Sequence, residues 1–350
     1  MRYKLLGKSG LRVSELCLGT MTFGDEWGWG SGKDESRQIY DAFLEAGGNF
    51  FDTADLYTNG TSERFLGEFM ASDRDRVVLA TKYTNSAPGS DPNAAGNHRK
   101  NMMQSVEASL KRLKTDYIDL YWLHVWDFTT PVDEVMRAFD DLVRQGKVLY
   151  IGVSDTPAWI ISRADAIAEL RGWTQLVGLQ IEYSLIERTC ERELLPMARE
   201  LDLGVTAWSP LAGGLLTGKY TGGSDGSKEE NRLAHPMMAP MVDINARKRT
   251  ICDAVVEVAA AIGKTPAQVA LNWLCRQPGV MIPIIGARRL SQLKDNLGSI
   301  EFTLDNENLQ EIEAVSRIEL GFPHDFFANE LVQNFSFGGM RDRIDNHRYF

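Results

Sequence analysis

Four residues in the N-terminal half of the chain could act together on a carbonyl group: Asp52, Tyr57, Lys82 and His124. A tyrosine phenol ionises near pH 10, too high for easy proton exchange at neutrality. A nearby ammonium lowers that value by favouring the phenolate, and Lys82 can play this part if Asp52 holds it and offsets its desolvation. His124 can hydrogen-bond a carbonyl oxygen and align it toward the Tyr57 hydroxyl. The set amounts to a general acid with an electrostatic clamp for a developing alkoxide. None of the four is a nucleophile in the serine or cysteine sense, and the reductant is missing.

Each residue also has a plainer role open to it. Asp52 could cap a turn, Lys82 could snorkel to the surface, His124 could be a satisfied core histidine, and Tyr57 could be packing. Whether they meet depends on the elements that carry them. Short apolar runs at 16–19, 49–52, 77–81, 117–123, 148–153, 176–181, 205–208 and 280–284 read as eight strands. Helical periodicity fills the gaps. Val132, Val135, Met136, Phe139, Leu142 and Val143 share one 3.6-residue face, as do Met102, Met103, Val106, Leu110 and Leu113. Gly47, Gly146 and Gly204 are placed as helix stops. Tyr3 to Leu6, a Gly7-Lys8-Ser9-Gly10 turn and Leu11 to Val13 read as an opening hairpin.

Uninterrupted strand–helix alternation predicts a parallel sheet covered by helices, closed as a (β/α)8 TIM barrel rather than left open. The barrel is expected over about 15–318, with an aromatic-rich C-terminal tail from about 319 to 350, all within one domain. In such a barrel chemistry sits at the C-terminal ends of the strands. The second strand runs into Asp52, with Tyr57 in the same loop; the third runs into Lys82; the fourth runs into His124.

Composition narrows the function classes. With 43% hydrophobic and 25% charged residues the 350-residue chain reads as globular, and a net charge of −10 argues against nucleic acid or an anionic membrane as partner. No apolar stretch has membrane-helix length, and no signal-peptide core follows Met1-Arg2-Tyr3-Lys4. Cys17, Cys190, Cys252 and Cys275 are too scattered for a zinc ribbon or CxxC motif, and the five histidines form no metal-binding pattern. A cytoplasmic protein with free thiols and no metal site is the expectation.

The segments Phe51-Asp52-Thr53-Ala54-Asp55-Leu56-Tyr57, Ala80-Thr81-Lys82 and Tyr121-Trp122-Leu123-His124 resemble the Asp–Tyr–Lys–His tetrad motifs of the aldo-keto reductase family. The likeness runs from Leu16-Cys17-Leu18-Gly19-Thr20 to Ile282-Pro283-Ile284-Ile285-Gly286-Ala287, on the aryl-alcohol dehydrogenase-like side of the family. It implies reduction of small aldehydes or ketones with NADP(H), Tyr57 as proton donor, Lys82 and Asp52 as its tuning pair, and His124 orienting the carbonyl. It also implies a cofactor site without a GxGxxG fingerprint.

By this resemblance Gly19, Thr20, Met21 and Asp52 touch the nicotinamide side, Trp208 stacks on the ring, and Ser154 and Gln180 hold its carboxamide. Ser209, Pro210, Leu211, Gly213, Leu215 and Lys219 line the pyrophosphate. Gly286, Arg288, Gln292 and Asn296 take the adenosine phosphate end. The loops after the seventh and eighth strands are common phosphate sites in barrels, and their small and basic residues suit an anion. The seventh continues, rich in Gly, Ser, Asn and Pro, to about residue 244. One departure stands out: many members carry Gly-Val-Ser-Asn where this chain has Gly152-Val153-Ser154-Asp155. An ionised Asp accepts hydrogen bonds but cannot donate them.

Two other readings compete. Gly213-Gly214-Leu215-Leu216-Thr217-Gly218-Lys219 nearly spells a phosphate-binding P-loop, but Tyr220 stands where magnesium needs Ser or Thr. The run from Arg99 to Leu113 resembles the branch holding potassium-channel β subunits, which would make the chain a nicotinamide-binding regulatory subunit. That branch typically lacks histidine at the His124 position, so the His124 found here favours an enzyme.

Overall fold

The structure is a computed structural model and describes residues 1–87, 89, 91–219 and 245–345. It opens with an antiparallel hairpin, β1 (Tyr3–Leu5) and β2 (Arg12–Ser14), in which Tyr3 faces Ser14. Eight parallel strands follow: β3 (Cys17–Gly19), β4 (Phe50–Asp52), β5 (Val78–Tyr83), β6 (Ile118–Leu123), β7 (Val148–Ser154), β8 (Gly178–Glu182), β9 (Gly204–Trp208) and β10 (Met281–Gly286). They close into a barrel, because β10 pairs with β9 through Met281 and Val205 and with β3 through Ile284 and Cys17. The expected (β/α)8 barrel is therefore the fold.

Helices cover the barrel: α1 (Lys33–Glu45), α2 (Thr61–Phe69), α3 (Arg99–Leu113), α4 (Val132–Arg144), α5 (Ala158–Arg171) and α6 (Leu194–Glu200) separate successive strands. Then α7 (Ala246–Ile262) and α8 (Pro266–Cys275) precede β10, and α9 (Leu290–Leu297) and α10 (Asn306–Ser316) follow it. The face read from sequence on α4 is the buried one: Val132, Val135, Met136, Phe139 and Leu142 lie in the core, while its acidic first turn and basic last turn suit the helix dipole. Each large side chain so buried contributes about 1.5–3 kcal/mol. Among the described residues no single helix is long and apolar enough to cross a membrane.

A second, smaller core fills the barrel itself. Leu6 and Val13 of the hairpin plug one end against Cys17, Phe50, Val78, Leu120, Trp122 and Ile282. Trp122 fits only because Gly152 and Gly178 on the next two strands carry no side chain; a Cβ on Gly178 would lie 2.7 Å from the indole. That wedge fixes β6, whose next residues lead to His124.

One expectation needs correction. Gly47 and Gly146 do end helices in the left-handed conformation, with φ of 85° and 72°. Gly204 does not; it is the first residue of β9, and the left-handed turn before it is made by Asp202, φ 49°. Gly204 is instead a packing requirement, since a Cβ there would meet the Leu6 side chain at 2.6 Å. The long segment after Trp208 begins with a 3-10 turn, Ala212–Thr217; its continuation beyond Lys219 to residue 244 lies outside the described residues.

The tail forms α11 (His324–Ala328) and α12 (Glu330–Ser336). Arg192 donates to the Glu319 carbonyl at 3.0 Å, and His324 faces Glu193 at 3.8 Å. Phe322 is 85% and Phe335 74% exposed, with Phe326, Phe327 and Leu331 also exposed.

Candidate active site

The ends of β4, β5 and β6 bring the four chemical residues together. Lys82 is wholly buried and forms an ion pair with Asp52 Oδ2. Its Nζ also donates to the Thr53 carbonyl at 2.7 Å and to the Tyr57 hydroxyl at 3.4 Å. The other Asp52 oxygen accepts from Gln180 Nε2 at 3.0 Å, so both carboxylate oxygens are committed inside the protein. The His124 ring lies edge-on to Tyr57, with centroids 6.0 Å apart. Trp27 closes the far side of Tyr57 in a second edge-on contact at 6.3 Å.

The loop from Asp52 to Tyr57 is held from beneath. The Asp52 carbonyl accepts twice from Thr20, from its N–H at 2.9 Å and from its hydroxyl at 3.0 Å. The Ser62 hydroxyl lies 2.8 Å from the hydroxyls of both Thr20 and Thr53. Directly after Tyr57 the chain turns through Thr58 and Asn59, both left-handed at φ 46° and 54°. That backbone is unfavourable for a β-branched residue. Thr58 is held there by its hydroxyl, which donates to the Phe23 carbonyl at 2.7 Å and accepts from Ser62 N–H at 3.1 Å.

Electrostatics sharpen the picture. Burial pushes the Lys82 ammonium down, but Asp52 and Tyr57 more than offset it, and the group stays charged. Burial raises Tyr57 above the usual phenol value; Lys82 pulls the other way, as the sequence suggests, without reversing the direction. Burial and then the Lys82 charge lower His124 to about 3, so the imidazole is neutral at physiological pH. Its Nδ1 is enclosed without a partner. Asp55, in the same loop, is raised to about 8 by burial and then by Glu63.

These directions set a pH dependence. Tyr57 stays protonated, and His124 neutral, across the range in which a free histidine titrates. The value of kcat/KM for carbonyl reduction should then show no histidine limb near pH 6.5, and a Tyr57 limb only above about pH 10. A change near pH 8 would belong to Asp55 and should vanish in Asp55→Asn. A limb near 6.5 that disappears in His124→Gln would show instead that His124 works as an imidazolium.

The residues expected around a cofactor occupy the same mouth but are tied down unevenly. Gly19 ends β3 beside Asp52, and Met21 is half-buried. Thr20 is not free to touch a ligand by its hydroxyl; it braces the Asp52 backbone. Ser154 Oγ is buried without a partner at the end of β7. Trp208 is half-buried at the end of β9, its indole N–H donating to Asp155 Oδ1 at 3.1 Å. Ser209 turns left-handed at φ 52°, Pro210 is buried, Leu211 packs on the core, and Gly213 and Gly214 make a left-handed pair at φ 66° and 105°. The Leu215 side chain is in the core, so only its backbone could serve a ligand, and Lys219 is exposed.

After β10, exposed Gly286 offers its carbonyl to Asn296 Nδ2 at 3.3 Å, and Gln292 accepts from Arg288 N–H at 2.8 Å. Asn296 and Gln292 thus shape this loop. Glu35 of α1 accepts from Leu290 N–H at 2.6 Å, putting a carboxylate on the N-terminus of α9. Glu35, the Thr53 carbonyl and the Asp155–Trp208 pair escaped sequence reasoning. Only Asp155 had left a signal there, as a departure from the family pattern.

A sequence profile of the aldo/keto reductase family matches residues 15–317. The chain belongs to this family. It is similar to norsolorinic acid reductase of Aspergillus flavus, 37% identical over 341 residues that cover 95% of this chain and 85% of the relative. A norsolorinic acid reductase of Emericella nidulans is 39% identical over 93% of this chain and 84% of its own. An uncharacterized oxidoreductase of Bacillus subtilis is 41% identical over 89% and 94% respectively. This aldo/keto reductase is an oxidoreductase by that kinship.

Proposed function

We propose that this protein reduces uncharged aldehydes or ketones to alcohols, with Tyr57 as the proton donor and NADPH as the reductant. The observation that carries the reading is the buried Lys82 ammonium, held by Asp52 and placed 3.4 Å from the Tyr57 hydroxyl. When bound, the nicotinamide supplies hydride to the carbonyl carbon. The chain's own groups do the rest. Tyr57 is protonated at neutral pH and gives its hydroxyl proton to the carbonyl oxygen, and Lys82 favours the phenolate left behind. Neutral His124 donates one N–H to the same oxygen and fixes its direction toward Tyr57. Asp52, with both oxygens engaged, acts as the holder of Lys82 rather than as a cofactor contact.

Support for a nicotinamide comes from unspent groups at the mouth. Ser154 Oγ is buried and unpartnered, and Gln180, its Nε2 given to Asp52, keeps Oε1 to accept from a carboxamide amine. Trp208 presents a half-exposed ring for stacking. Gly213 and Gly214 let a pyrophosphate approach the backbone. Arg288 is the residue proposed for the 2′-phosphate, since its planar fork suits a phosphate. The aromatic wall of Trp27, Trp29 and Tyr57 suits a bulky apolar carbonyl.

A panel of carbonyl compounds, assayed with NADPH and NADH in parallel, tests this. Bulky uncharged aldehydes and ketones should turn over faster than charged ones, and NADPH should be preferred. Loss of a charge-assisted bond in Arg288→Ala should weaken NADPH by roughly tenfold to a hundredfold and spare NADH. Equal losses for both would make Arg288 structural and leave Lys219 or Arg289 for the phosphate. Absence of turnover with every carbonyl would remove the reading itself.

A further inference from the structure

We propose that Asp155 is a positioning residue that aims the Trp208 indole and tilts the site toward the oxidised, positively charged nicotinamide; this rests on the reading that Trp208 stacks on that ring. Asp155 stands at a junction of four strand ends. Its N–H donates to the Gln180 carbonyl at 3.2 Å, its carbonyl accepts from Trp126 N–H at 3.3 Å, and its carboxylate accepts from Trp208 Nε1 at 3.1 Å. One residue following β7 is thereby tied to β8, to β9 and to the segment after β6. Its backbone is left-handed at φ 41°, a conformation that Asp and Asn tolerate better than other side-chain-bearing residues.

Both Asp and Asn can accept the indole hydrogen bond; only Asp can carry a charge, and burial raises its carboxyl above the usual carboxylate range while the Trp208 hydrogen bond favours the ionised form. That charge is felt at the mouth. Burial is the main reason that Tyr57 and Glu182 titrate high, and Asp155 adds a lesser part to both. A carboxylate hydrogen-bonded to an indole that stacks on a nicotinamide would lie near the ring that gains positive charge on oxidation. Opposite charges attract there, and the reduced, neutral ring gains nothing comparable.

The test is a titration of wild type, Asp155→Asn, Asp155→Ala and Trp208→Leu with NADP+ and with NADPH, at mildly alkaline pH. Affinity is read by calorimetry and ring contact by quenching of tryptophan emission. Asp155→Asn keeps shape and hydrogen bond, so quench amplitude and NADPH affinity should hold while NADP+ weakens relative to NADPH by roughly threefold to thirtyfold. Asp155→Ala should also lose quench amplitude, because the indole is no longer aimed. An unchanged NADP+ to NADPH affinity ratio in Asp155→Asn overturns the charge effect, and full quenching in Asp155→Ala overturns the aiming. If Trp208→Leu keeps the wild-type quench, the stacking reading beneath the proposal is what fails.

Discussion

Tyr57→Phe is expected to lower turnover in carbonyl reduction by roughly 10²–10⁴-fold while leaving cofactor affinity nearly intact. The substitution removes one oxygen and keeps the ring, so the edge-on contacts with Trp27 and His124 survive. What is lost is the proton that burial keeps on the hydroxyl, and with it the oxygen that accepts from the Lys82 ammonium. Hydride arriving at the carbonyl carbon would leave an alkoxide without a proton. Turnover and cofactor titration on the same sample check this. Near-wild-type turnover would take Tyr57 out of the mechanism, and a parallel loss of cofactor affinity would mean that the ring had moved.

The second large effect is on stability. Lys82→Met should cost about 3–5 kcal/mol, because it strands the Asp52 carboxylate in a site that is 3% exposed. Gln180 still donates to one oxygen, but the ion-pair partner and its charge are gone. Asp52→Asn combined with Lys82→Met removes both charges and should recover most of the stability without recovering activity. Urea unfolding of the two single variants and the double checks the cycle. Additive losses would mean that the two side chains do not depend on one another, and a Lys82→Met loss under about 1 kcal/mol would place the pair in a wetter setting than its burial indicates.

Much of this site could be read from strand ends. Eight apolar runs separated by helical periods dictate a closed parallel barrel, and the barrel dictates which end of each strand carries chemistry. Asp52, Lys82 and His124 follow from that logic because each stands at the end of its run or immediately beyond it. Tyr57 needed its loop, five residues beyond Asp52, and the left-handed turn at Thr58 and Asn59 that follows it is invisible in composition.

The parts that were not legible depend on packing between elements distant in the chain. Gly204 looks like a helix stop until Leu6 is found against it. The upward shift of Tyr57 could not be foreseen, since spacing places Lys82 beside it but says nothing of the burial that wins. Glu35 reaches Leu290 only because α1 and α9 are neighbours around the barrel. The hydroxyls of Thr20, Thr53 and Ser62 are ordinary residues until the fold stacks them under the Asp52 carbonyl. The tail's aromatics are plain in the sequence, but their exposure is not, because sequence gives hydrophobicity and not what a side chain meets.

The most direct test of carbonyl reduction at the Asp52–Tyr57–Lys82–His124 site is a count of product per protein. The purified chain is incubated with excess NADPH and 4-nitrobenzaldehyde, and 4-nitrobenzyl alcohol is measured against protein concentration over time. The arrangement described here predicts continuing turnover, with many equivalents of alcohol per chain and close to none from Tyr57→Phe. A burst of at most one equivalent that then stops, from a cofactor that stays bound, would contradict it and point to a nicotinamide-binding regulatory protein instead.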